Sequence, residues 1–273
     1  MAQLPPDARA EARWFDERVA RMRQPRAFDV MADYHLPLVT FGAQGDPTKG
    51  NQRWWYYELH HERLRAFAGK RVLHVACGFG ELAVYMASLG IHVTAFDISQ
   101  TSVEFARELV RLNGCTDRVT VECRDVREIP YPEASFDLVT GEDALHHIIK
   151  FQGALEPLYR VLKPGGLALF CDNFAFDPLI RFLRPLNWKR QGFTSEHSLG
   201  EDDLAYLRRV FDEVRIGHES FFYTWGRLLP RPSPLARAFS RGLRRLDAAL
   251  LPRLPALRRR YSLAMLELFK RAS

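Results

Sequence analysis

Two glycines and an acid carry the first chemical signal in this chain. Gly78-x-Gly80-x-x-Ala83 comes after the apolar run Val72 to Val75, and Asp97 closes a second apolar run, Val93 to Phe96. Glycine has no Cβ, so backbone N–H groups in such a loop can approach a ligand closely. The segment Glu81 to Leu89 reads as a helix closed by Gly90, and its N-terminus favours a carboxylate or a phosphate. Asp97, at the carboxyl end of the next strand, is placed to accept hydrogen bonds from a ribose diol. These residues describe a site for a nucleoside-bearing cofactor. Alone, they also fit the dinucleotide fingerprint G-x-G-x-x-G/A with an acid roughly 20 residues further on.

The segments beyond Asp97 narrow the choice. Val119 to Asp125 reads as a third strand ending on another acid, with Val126 next to it. Phe136 to Thr140 reads as a fourth strand, running into the loop Gly141-Glu-Asp-Ala-Leu-His146-His147. A helix from Ala154 exits through Leu162-Lys-Pro-Gly-Gly166 into a fifth strand, Leu167 to Cys171. Glu213 to Tyr223 and Tyr261 to Phe269 read as the sixth and seventh.

This order resembles the class I S-adenosylmethionine-dependent methyltransferases, in particular the branch acting on small molecules. The resemblance covers residues 70 to 172, with Leu162-Lys-Pro-Gly-Gly166 its most specific mark. It implies a doubly wound, Rossmann-like α/β fold: seven strands, mostly parallel, with an antiparallel last strand and helical lid elements. Residues 1–69 would form an N-terminal helical cap. Residues 70–273 would form the methyltransferase domain, with a substrate-side connection at 173–199 and an arginine-rich insertion at 225–260. By the same resemblance, S-adenosyl-L-methionine is the cofactor. The Ala76-x-Gly78-x-Gly80 loop would pack on its methionine part, and Asp97 would hold the ribose hydroxyls. Ile98 would lie on the adenine face, with Asp125 and the Val126 N–H reaching the ring's polar edge. Gly141 would face the methionine and the departing methyl. Two positions depart from the family pattern: His74 stands where an acid is usual, and Ala76 where glycine is. The second reads as a small change, because it removes no backbone donor.

Methyl transfer is an in-line displacement that needs alignment and exclusion of water. A general base is required only where the nucleophile must lose a proton. His146 and His147 are the best-placed candidates. Glu142 and Asp143 share their loop, either as bases or as caps of the helix after it. His197 and the pair His60/His61 come after them. Beyond the fifth strand, Phe176, Arg181 and Trp188 belong to an aromatic connection interleaved with basic residues. It suits a largely apolar acceptor carrying a carboxylate or a phosphate. The stretch Asn51 to Phe67 reads as an aromatic helix, docked on the sheet or serving as a lid. Glu196 to Leu204 opens a helix with Ser198 as N-cap and Glu201 completing a capping box.

Composition sets the remaining bounds. The chain has 273 residues, 47% hydrophobic, enough to bury one core with appendages. No apolar run reaches the ~18 residues that span a bilayer, and the N-terminus lacks a secretory pattern, so a cytoplasmic location is expected. Cys77, Cys115, Cys123 and Cys171 form no C-x-x-C pair, so reduced cysteines and no metal site are expected. Ten arginines against the single acid Asp247 give residues 225–260 a charge of +9 in a chain of net +6, which leaves −3 elsewhere. The acidic core argues against nucleic acid, although an RNA methyltransferase and a non-catalytic binding protein of the same fold are the alternative readings. The helix Leu235 to Leu250 carries an apolar face, which would allow peripheral contact with an anionic membrane.

Overall fold

A computed structural model describes residues 6–20, 25–31, 36–41, 60–179, 181–182, 197–225 and 234–272. Helix α1 (Pro6–Ala20) precedes an antiparallel pair, β1 (Pro25–Met31) and β2 (Leu36–Phe41). After a helical segment at 60–67, the main unit alternates: β3 (Arg71–Val75), α2 (Glu81–Ser88), β4 (His92–Asp97), α3 (Gln100–Leu112), β5 (Val119–Cys123) and β6 (Phe136–Glu142). Then come α4 (Leu145–Ile148), α5 (Leu155–Val161), β7 (Leu162–Asn173), α6 (Glu201–Val210) and β8 (Glu213–Ser220). The described chain ends with α7 (Phe222–Trp225), α8 (Pro234–Leu250), α9 (Pro255–Arg258) and β9 (Leu263–Phe269).

Seven strands form one sheet in the order β5-β4-β3-β6-β7-β9-β8. The pairs from β5 across to β7 are parallel, while β9 runs antiparallel to both β7 and β8. Helices cover both faces, so central strands are buried on each side and read as continuous apolar runs. Val72, Leu73, Val75, Leu138 and Val139 are fully buried. One face packs on α2 and α3 through Ala83, Met86, Val103 and Leu109. The other packs on α5 and α6 through Leu155, Leu158, Leu204 and Leu207. Strand order reverses between β3 and β6, and the crevice outside the carboxyl ends at such a point is where open α/β sheets bind ligands.

Three local expectations change. Ser198 does not cap α6. Its N-cap is Gly200, whose N–H donates to Asp203 Oδ2 at 2.8 Å, because Asp203 rather than Glu201 turns back over the helix end. The stretch Val39 to Gly50, which Gly42, Gly45, Pro47 and Gly50 mark as a loop in the sequence, begins as strand, since residues 36–41 pair with β1. Of the aromatic helix expected over Asn51 to Phe67, the described part is helical at 60–64 and tightens to a 3-10 turn at Arg65–Phe67. Trp54 to Tyr57 lie outside the described residues.

Candidate functional site

The loop after β3 and the end of β4 are tied together by one carboxylate. Asp97 Oδ2 accepts from the Gly78 N–H at 2.8 Å, and Oδ1 from the Ser99 N–H at 2.9 Å. Each oxygen therefore keeps a lone pair, and two vicinal hydroxyls are the complement of that arrangement. Gly78 and Gly80 adopt φ of +52° and +84°, the left-handed region that glycine enters without penalty. Burial lifts Asp97 to about 6 against the downward pull of the Ser99 and Gly78 amides. A ribose diol fits this cradle.

That shift has a sign that can be measured. With its folded pKa above the ordinary value, Asp97 keeps a proton in the folded state between about pH 4 and 6. Stability without ligand should thus fall as pH rises through that window. The ionised form is the one that accepts two hydroxyls. Affinity for S-adenosylhomocysteine should therefore weaken about tenfold per pH unit below about 6. Asp97→Asn should flatten that dependence in a calorimetric pH series; an unchanged slope would assign it to another group.

Ala76 also stands in the left-handed region, at φ +48°. The substitution for glycine is therefore larger than the sequence suggested, because a Cβ is strained there by about 1–2 kcal/mol. Ala76→Gly should raise stability by about 1 kcal/mol, seen in a denaturant midpoint; a lower midpoint would show that the loop tolerates the Cβ.

The other cofactor-side candidates lie around the same crevice. Ile98 is half-buried beside Asp97, and Val126 is buried. Asp125 caps a short turn by accepting from the Arg127 N–H at 2.9 Å, and its carboxylate also holds the Arg127 guanidinium at 2.7 Å. An adenine amino group would share that carboxylate with arginine. Gly141, in register with Phe170, has no room for a side chain: a Cβ would lie 2.7 Å from Ala144 Cβ.

Helix α1 crosses the carboxyl ends of the strands. Asp16 accepts from the Ser99 hydroxyl at 2.5 Å and from the Thr101 N–H at 3.2 Å. Glu11 pairs with His147 Nδ1 at 2.7 Å and with Lys150 Nζ at 2.6 Å. His147 thus fastens α1 to the sheet, and nothing local in the sequence signals this partner 136 residues away.

His146 has a different environment. Its Nδ1 lies 2.6 Å from Asp172 Oδ1, and its backbone N–H donates to Oδ2 of the same carboxylate at 3.2 Å. Both side chains are buried. A fully buried acid oriented on an imidazole fixes the ring's tautomer and orientation. Burial pushes Asp172 up, but His146 and two backbone amides outweigh it and hold the carboxyl below its usual range. Sequence reasoning missed Asp172, although its place at the end of the fifth parallel strand was the available clue.

A second cluster gathers at the strand reversal. Glu142 does not cap a helix; His60 Nδ1 and His61 Nε2 each lie 2.8 Å from its Oε1. His60 Nε2 lies 2.8 Å from Thr140 Oγ1, and Thr140 is the register partner of His74. Burial pushes His60 down despite Glu142, and brings His74 to about 4. The neutral His74 therefore cannot replace the family's acid by charge. Glu142 supplies a carboxylate in that neighbourhood, as does Glu81, which burial raises to about 7. The four cysteines are free, as expected, but His60, His61 and Glu142 bring metal-ligating atoms within 4.8 Å of one another.

Of the residues expected on the acceptor side, Phe176 stacks on Phe174 at 5.8 Å and meets Tyr261 edge-on at 5.2 Å. Arg181 is exposed, its backbone N–H donating to the Asp177 carbonyl at 2.8 Å. Trp188 lies outside the described residues. His197 binds Asp203 at the start of α6.

Comparison with known proteins agrees with this architecture. Residues 73–170 match the family model described as a methyltransferase domain. Over 100 residues the chain is 41% identical to 27-O-demethylrifamycin SV methyltransferase of Amycolatopsis mediterranei, covering 36% of this chain and 37% of that protein. Over 130 residues it is 38% identical to the demethylmenaquinone methyltransferase of Clavibacter sepedonicus, covering 48% and 51%. The chain thus spans about half or less of the length of these relatives. Among solved structures, geranyl diphosphate C-methyltransferase of Streptomyces coelicolor A3(2) aligns over 98% of this chain and 100% of its own, with TM-score 0.60 and 12% identity. The [4+2]-cyclase SpnF aligns over 79% and 81%, with TM-score 0.52 and 20% identity. At these identities the structural likeness concerns the fold alone.

Proposed function

We propose, from the premise that residues 73–170 form a class I S-adenosylmethionine-dependent methyltransferase domain, that the protein methylates a hydroxyl of a small, largely apolar acceptor. The observation that carries the hydroxyl is the buried His146–Asp172 pair. When bound, S-adenosylmethionine supplies a methyl group on a positively charged sulfur, an excellent leaving group. Asp97 and the Gly78–Gly80 loop would hold its ribose, Ile98 and Val126 would flank its adenine with Asp125 at the amino edge, and the Ala76 and Gly141 backbones would border its methionine. Asp172 occupies His146 Nδ1, which leaves the opposite ring nitrogen to take the acceptor's proton as the oxygen attacks. A neutral amine, which attacks through its lone pair, would not need this pair, whereas a carbon acceptor would still have to shed its own proton. His147, held by Glu11, positions α1 as part of the 1–69 cap that excludes water. Phe176, Arg181 and Trp188 would line the acceptor side, the arginine facing a carboxylate or phosphate. The relative acting on a demethylrifamycin oxygen supports an oxygen acceptor. The test is transfer from methyl-labelled S-adenosylmethionine to a panel of hydroxylated polyketide, prenyl and lipid compounds, read by mass spectrometry. Label on an acceptor oxygen is expected; transfer only to carbon or nitrogen would reject the hydroxyl assignment.

The arginine-rich segment supports peripheral contact with an anionic membrane. Asp247, the acid on α8, is buried and accepts from the Phe222 and Tyr223 N–H groups at 2.8 Å, so it fixes the helix to the body. Phe239 and Leu246, two turns apart, remain 46% and 38% exposed, with Arg244 and Arg245 exposed nearby. No helix among the described residues is long and apolar enough to cross a membrane. Each arginine near a negatively charged surface contributes about 1 kcal/mol, within a Debye length of about 8 Å. Flotation should recover the protein with anionic liposomes at low salt and release it at high salt. Equal recovery with neutral liposomes would remove the electrostatic role.

A further inference from the structure

The geometry points to a second site that the methyl-transfer reading does not use: we propose that His60, His61 and Glu142 bind one divalent first-row transition ion. The argument begins with a single hydroxyl proton. Thr140 Oγ1 lies 2.8 Å from the Leu169 carbonyl, which can only accept, so the threonine proton is spent there. In the tautomer with the ring hydrogen on Nε2, 2.8 Å from the same oxygen, His60 is the donor to Thr140. A neutral His60 then turns its Nδ1 lone pair toward Glu142 Oε1 at 2.8 Å. A cation between the two atoms satisfies both. A second imidazole nitrogen, His61 Nε2, converges on that same oxygen at 2.8 Å.

A proton on His60 is the simplest cation, but it serves one pair of atoms, whereas a second imidazole nitrogen converges on the same carboxylate oxygen. A metal ion needs no such charge on the ring. It binds the deprotonated nitrogen already presented, and the other ring N–H is fixed by an outer partner, here Thr140 backed by Leu169. Ligand atoms around a tetrahedral zinc ion stand ~3.3 Å apart, given bonds of about 2.0–2.1 Å. Each nitrogen–oxygen pair would part by about half an ångström, and the two nitrogens, within 4.8 Å of each other, would settle to the same spacing. Two imidazoles and a carboxylate select zinc, cobalt or nickel over magnesium. Three protein ligands also leave a coordination position open to water or to an acceptor oxygen. The ion would clip the 60–67 segment onto the sheet where strand order reverses.

The test uses the full chain, dialysed against a chelator and titrated with Zn2+ by calorimetry and with Co2+ by visible absorption. One equivalent should bind and raise the melting temperature, and Co2+ should give a tetrahedral spectrum, while Mg2+ does neither. Glu142→Gln, nearly isosteric, and His61→Ala should each weaken binding at least tenfold with the circular dichroism of the fold retained. His92→Ala, at an exposed histidine, should leave it unchanged. No ion-dependent stabilisation in the wild type would mean that the cluster holds only a proton, and equal affinity in Glu142→Gln would place the ion elsewhere. Either result overturns the proposal, and neither readout depends on methyl transfer.

Discussion

Asp97→Ala should weaken S-adenosylhomocysteine binding by about 1.5–3 kcal/mol, roughly ten- to 150-fold in Kd. The carboxylate is nearly closed from solvent and spends one lone pair of each oxygen on the Gly78 and Ser99 amides. Its remaining capacity matches two ribose hydroxyls, and alanine removes both those bonds and the brace between the loop and β4. Asp97→Asn separates the two effects, since it keeps one acceptor oxygen and nearly the same volume. Ligand binding to the native state alone adds about 2.7 kcal/mol of stability at a hundredfold excess over Kd. S-adenosylmethionine should therefore raise the melting temperature of the wild type, and NADH should not. Wild-type affinity in Asp97→Ala, measured by calorimetry, would remove this carboxylate from the site.

His146→Ala should lower kcat by about 10²- to 10⁴-fold, the contribution of a positioned general base, while leaving the cofactor's Kd within a factor of about three. The separation is expected because His146 is bound to Asp172 on β7, whereas Asp97, the carboxylate proposed for the ribose, ends β4. Asp172→Asn should lower kcat as well, because the amide no longer fixes the tautomer and orientation of the His146 ring. Unchanged kcat with a weakened cofactor would show that His146 shapes the binding pocket and moves no proton.

The sheet was legible because its central strands are buried on both faces and so appear as unbroken apolar runs between glycine turns. The end of β4 at Asp97 was legible for a related reason: the apolar run Val93 to Phe96 stops there on an acid. Pairings across the chain were not. Glu142 meets His60 over 82 residues and His146 meets Asp172 over 26, and no local spacing marks either pair. Ala76 misled because its effect lies in a backbone angle rather than in the donor it keeps. The α6 cap was misplaced because several acids at its start could each fold back, and only the backbone chooses Asp203. The β1–β2 pair escaped notice because its second strand runs into a glycine-rich stretch that reads as loop.

A crystal structure with S-adenosylhomocysteine at saturating concentration tests the central claim most directly. The ribose hydroxyls should lie within hydrogen-bonding distance of both Asp97 oxygens, with adenine between Ile98 and Val126 and the methionine portion beside Gly78 and Gly141. A nucleoside held elsewhere, or a crevice that stays empty at saturation, would contradict the assignment of this crevice to the methyl donor.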